Sequence, residues 1–139
     1  MRKLIIGTAV LCITIVATAR DNPSCETLLQ NLSATEMKAR ESYLGNTKGD
    51  SLQLMADAAK SFDTYANSCN LGPMAYAGVL IHGRSSLLQR VTGKSTQADI
   101  AAARAVGYAK LLRKRKVAWP EVEHMVLEAD RKQRSASSK

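Results

Sequence analysis

The chain has 139 residues, with 20 Lys and Arg against 12 Asp and Glu and a formal net charge of +8. That length bounds it to one domain, and an aromatic content of 4% excludes a core built on large rings. Past residue 16 no apolar run is long enough to span a bilayer, which excludes a membrane segment in that part.

Arg2 and Lys3 precede an uncharged apolar stretch, Leu4 to Val16, and Ala17-Thr18-Ala19 follows with small residues at both ends. This is the pattern of a signal peptide, with Ala17 and Ala19 marking the cleavage site and residues 1–19 removed. The stretch is shorter than the roughly 20 residues of a spanning helix. Leu11 before Cys12 argues against a lipoprotein, which needs a small residue there. Cleavage takes Cys12 away and leaves Cys25 and Cys69. In an oxidising compartment that even pair reads as a disulfide, and the chain as periplasmic or secreted.

The remainder predicts an all-α fold, a small bundle of four to five helices. Asn22 is the expected cap of a first helix with Pro23 at its first position. Cys25, Leu28, Leu29, Leu32, Ala39 and Tyr43 form its apolar stripe, and Gly45 ends it. Asn46 to Gly49 reads as a loop. Asp50 with Gln53 resembles a capping box and opens a second helix with a stripe of Leu52, Met55, Ala59, Phe62, Ala66 and Cys69. Asn70-Leu71-Gly72 breaks it.

Pro73 starts a third helix, with Ala77, Leu80, Ile81, Leu87, Leu88 and Val91 expected inward and Gly93 at its end. Gly78 and Gly83 lie inside it at about 1 kcal/mol each relative to Ala, which points to a close neighbour at both. Ser95 or Thr96 caps a fourth helix whose expected stripe is Ile100, Ala103, Gly107, Leu111 and Leu112. Trp119-Pro120 breaks that run, and Val122, Met125, Val126 and Ala129 mark a short fifth helix. The domain is expected over residues 20–132, with a basic flexible tail over 133–139.

Cys25 and Cys69 lie at nearly equal distances from Lys48 in the loop. In an antiparallel hairpin such residues come opposite each other, so a bond there fastens the open end of the first two helices. Neither metal-binding nor redox C-x-x-C spacing is present.

Charge is uneven. Residues 20–80 hold five basic and seven acidic side chains, whereas residues 81–139 hold thirteen basic and five acidic. The densest run is Lys110, Arg113, Lys114, Arg115 and Lys116. With Arg104 farther back, it reads either as a solvated face or as a patch for an anionic partner. A protein or membrane surface fits better than nucleic acid, because no aromatic residues interleave to stack on bases. Arg131, Lys132, Arg134 and Lys139 form a second cluster, and the charge separation also admits homo-oligomers.

Motifs for catalysis are missing. The histidines, His82 and His124, occur on different helices and form no H-x-x-x-H or H-E-x-x-H pattern, so no metal or other cofactor is expected. Glu26, Glu36, Glu41 and Asp63 are the carboxylates from which a hydrolytic pair would be drawn, but nothing in the sequence singles out two. No G-x-S-x-G or glycine-rich phosphate loop occurs.

The sequence therefore points to a non-enzymatic exported protein that acts by binding another protein. An accessory component of an envelope, secretion or conjugation assembly, or an inhibitor or immunity factor, fits that description. Cys25-Glu26-Thr27-Leu28-Leu29 and the wide cysteine spacing resemble the small periplasmic acid-stress chaperones, which are helical and single-bridged. That resemblance implies a chaperone as an alternative. It covers under a third of the chain, and about seventy residues follow Cys69, more than the family pattern implies. A degradative enzyme of cell wall or nucleic acid, using the histidines and carboxylates above, is the third reading.

Overall fold

A computed structural model describes residues 23–45 and 48–139. Among these residues lie five α-helices and no strand: α1 (Cys25–Leu44), α2 (Lys48–Ser68), α3 (Ala75–Val91), α4 (Ser95–Arg113) and α5 (Trp119–Ser137). The all-helical expectation holds. The expected leader with Ala17 and Ala19, and the expected cap Asn22, lie outside the described residues. No helix among the described residues is long and apolar enough to cross a membrane.

The helix starts differ from expectation by a residue or two. Ser24 caps α1, its Oγ accepting from the Thr27 N–H at 3.2 Å, and Pro23 stands ahead of the helix. A serine oxygen satisfies one of the donors that a helix start leaves unpaired. Lys48 and Gly49, expected in a loop, already belong to α2. Asp50 is therefore in the first turn, where its charge suits the helix dipole, and Gln53 donates to Asp57 at 3.0 Å instead of completing a box. Lys94, not Ser95 or Thr96, occupies the cap position of α4. Gly45 ends α1 as expected, its N–H bonding Glu41 O at 2.9 Å.

Two contacts tie α1 to α2. Cys25 and Cys69 are joined as a disulfide, with Cα atoms 5.9 Å apart. Ser42 Oγ and Ser51 Oγ meet at 2.8 Å. Leu28, Leu32 and Ala39 of α1 pack with Met55, Ala58 and Phe62 of α2 and Ile81 of α3 in one apolar cluster. Val79, Ala105, Ala109, Val117, Val122 and Val126 form a second between α3, α4 and α5.

α3 sits between these clusters and is buried from His82 through Ser86 without a break. Its two glycines serve close packing, as their cost suggested. A Cβ on Gly78 would come within 2.5 Å of Phe62 Cε1 and 2.9 Å of Tyr108 Cδ2, and one on Gly83 would overlap Val126 Cγ2.

Expectations about facing and about helix length are corrected. α4 turns Ala98, Ala101, Ala102, Ala105 and Ala109 inward, while Ile100, Ala103, Gly107 and Leu111 of the expected stripe face solvent. Alanines let α4 lie close against α3, and that approach outweighs the burial of two larger side chains on the other face. Val91 is 71% exposed, and Leu29 lies on the outer side of α1. The fifth helix is not short. It runs to Ser137, so the segment from Gln133, expected as a flexible tail, is helical to that point. Arg134 there donates to the Leu44 carbonyl at 3.0 Å.

Candidate functional site

Asp63 of α2 is the centre of a polar junction linking three helices. Its Oδ1 receives His82 Nε2 of α3 at 2.8 Å and the Tyr108 hydroxyl of α4 at 3.2 Å, and its Oδ2 receives Arg104 Nη1 at 2.8 Å. Arg104 and Tyr108 reach the same carboxylate because residues four apart share a helix face. The His82 ring stacks on Tyr108 with centroids 5.6 Å apart, and Phe62 meets both edge-on.

Burial pushes the His82 pKa below its ordinary value, outweighing the opposing pull of Asp63. The ring is therefore neutral at pH 7 and donates from Nε2. Burial, followed by the Asp63 charge, raises the Tyr108 hydroxyl to about 12. The junction is thus one carboxylate holding three donors. Proton transfer to a substrate requires an atom within hydrogen-bond reach of it, and His82 is only 1% exposed. The group joins α2, α3 and α4.

Above the junction lies a groove between α2 and α4. Two clefts of about 370 and 490 Å³ share Asp63, Asn67 and Arg104. The first continues to Lys60, Gln97 and Ile100, and the second to Gly107, Tyr108 and Leu111.

A second polar cluster is more deeply enclosed. Arg84 of α3, 1% exposed, donates to Asp130 at 2.8 Å and to Gln133 at 2.6 Å, both on α5. Its guanidinium lies 5.5 Å from the Tyr43 ring centroid and 3.8 Å from Glu36, both on α1. Burial, then the Asp130 carboxylate, pushes the Tyr43 hydroxyl well above its ordinary pKa. The cluster fastens α1 and α5 onto α3.

The six residues of the expected anionic-partner patch separate into three groups. Arg104 is held by Asp63. Arg113 and Arg115 both pair with Glu121 at the start of α5, Arg115 at 2.6 Å. Lys110, Lys114 and Lys116 are exposed and make no ion pair among the described residues. Lys114 ends α4 in the left-handed region at φ 50°.

Of the other candidates, His82 and Asp63 come together, a pairing the sequence did not reveal. His124 is exposed on α5, and Glu26 and Glu41 are exposed on α1. Glu36 stands 3.6 Å from Arg40. Arg84 and Tyr108 were missed as polar partners, since their contacts lie 46 and 45 residues away in the chain. Among the described residues no three His, Cys, Asp or Glu side chains gather as a metal site would require.

Neither a family model, nor a curated protein, nor a solved structure matches this chain.

Proposed function

We propose that this is an exported, non-enzymatic helical protein that acts by binding another protein, as an accessory part of an envelope, secretion or conjugation assembly or as an inhibitor. The observation that carries this reading is the division of the basic run. Arg104, Arg113 and Arg115 are held by carboxylates of the same chain, while Lys110, Lys114 and Lys116 stand exposed without one among the described residues. A cationic group left free beside a rigid helix end attracts an anionic surface and speeds encounter with it.

Export is the condition on which the rest depends. The Cys25–Cys69 bond and the absence of a membrane-spanning helix among the described residues are compatible with it. A bond at one end of α1 and α2 and the serine pair at Ser42 and Ser51 support the antiparallel hairpin. A hairpin closed in this way presents a preformed surface, which reduces the ordering cost of binding.

The test is a pull-down from the cell envelope with wild-type protein and with Lys110, Lys114 and Lys116 changed to Gln. The expected result is a defined partner whose retention falls with salt and is lost in the variant. Equal retention by both proteins overturns the reading.

A further inference from the structure

We propose that the groove between α2 and α4 seats an acidic amphipathic helix of the partner protein. This rests on the binding reading above and adds where the partner lies and what its contacting segment is.

The groove has apolar posts at both ends. Ile100 is 52% exposed and Leu111 is 60% exposed. Eleven residues apart, they fall on one face of α4, separated by about 16 Å at 1.5 Å per residue. That distance matches three turns of a second helix.

Between the posts the floor is kept low. Apart from its chain neighbours and the backbone of its own helix, no atom of the described residues lies within 4 Å of where a Cβ on Gly107 would stand. A glycine inside a helix is destabilising relative to alanine. At Gly78 and Gly83 internal packing requires it, but at Gly107 no internal contact does. The clearance serves something approaching from outside.

Charge selects the occupant. Lys60 lines the α2 side, and Lys110 and Lys114, one and three residues from Leu111 in the chain, are exposed at the end of α4 outside the two clefts; none of the three makes an ion pair among the described residues. The one carboxylate lining the groove among the described residues, Asp63, already holds three donors. A second copy presenting the same face would set cations against cations. A flat bilayer would touch the rims and leave the Gly107 floor empty. A helix with apolar residues at three- and four-residue spacing and Asp or Glu on its flanks satisfies posts, floor and rims together.

The experiment places a photo-reactive benzoylphenylalanine at Leu111 in the full chain, expressed in its own host, and sequences the adduct. The adduct segment, made as a peptide, is then titrated against wild-type protein, Gly107→Leu and the Lys110→Gln/Lys114→Gln pair. The expected adduct lies in an acidic helical segment of one other protein. Gly107→Leu keeps the wild-type melting temperature or exceeds it and weakens the peptide at least tenfold, and the lysine pair weakens it and flattens its salt dependence. An adduct with another copy of this chain, with lipid or with nothing overturns the proposal, as does unchanged affinity in Gly107→Leu. A pulled-down partner lost in the lysine variant but indifferent to Gly107→Leu overturns the groove alone and leaves the binding reading standing.

Discussion

His82 on α3 donates Nε2–H to Asp63 Oδ1 on α2 across 2.8 Å, in a position only 1% exposed to solvent. The contact lies beneath the α2–α4 groove, and its neutral state is set by burial. It gives the fold a proton-linked weakness. Above pH 6.5 the ring is neutral folded or unfolded. Below 6.5 the unfolded chain takes up the proton first, so this stability falls as pH drops until the lowered folded pKa is reached. Thermal melts between pH 7.5 and 5 are expected to show a stability loss of at most about 1.4 kcal/mol per pH unit from this group. His82→Gln, which keeps a donor for Asp63, flattens that slope. An unaltered slope in the variant places the proton elsewhere.

The Cys25–Cys69 bond closes a loop with a sequence separation of 44. Constraining the unfolded chain over that length stabilises the fold by about 4 kcal/mol. Chemical denaturation with and without reductant is expected to show a loss of that order, with the helical circular dichroism retained before the transition. Coincident curves would mean that the bond contributes nothing.

Arg84 and Asp130 are each nearly buried and depend on one another. Arg84→Met leaves the Asp130 carboxylate without its guanidinium partner, a loss of about 3–5 kcal/mol for a broken buried pair. Changing both, to Met and Leu, is expected to be much milder, because no charge is then stranded. A double-mutant cycle from denaturant midpoints checks this, and strict additivity of the two single losses contradicts the coupling.

Three helix glycines are expected to divide in their response to alanine. Gly107→Ala meets open space and gains about 0.5–1 kcal/mol from helix propensity. Gly78→Ala collides with Phe62 and Tyr108, and Gly83→Ala with Val126. Overpacking of this kind costs about 1–3 kcal/mol. Melting temperatures of the three variants read the difference, and a loss at Gly107 equal to that at Gly78 would contradict it.

The parts of the fold that the sequence disclosed share one property. In α1 and α2 the buried positions carry large apolar side chains, Leu28, Leu32, Met55 and Phe62, at helical spacing. α4 reverses that relation, burying alanines and exposing Ile100 and Leu111, so its larger residues marked the outer face. Periodicity follows side-chain size, and a helix seated by close approach escapes it. The Asp63 junction was hidden for another reason. Its three donors lie 19 to 45 residues from Asp63, and only the packing of α2, α3 and α4 makes them neighbours. Arg84 is the extreme case, a cation that pattern reading places in solvent and that Asp130 and Gln133 hold inside. The division of the basic run followed from Glu121, which lies past the helix break and draws Arg113 and Arg115 toward α5.

The most direct measurement of the central claim is the intact mass of the protein recovered from its own cells, before and after thiol labelling. Export with a closed bridge predicts a chain beginning at Arg20 that takes up no label until it is reduced, and then takes up two. A chain still beginning at Met1, or one whose Cys25 and Cys69 label without reductant, contradicts it.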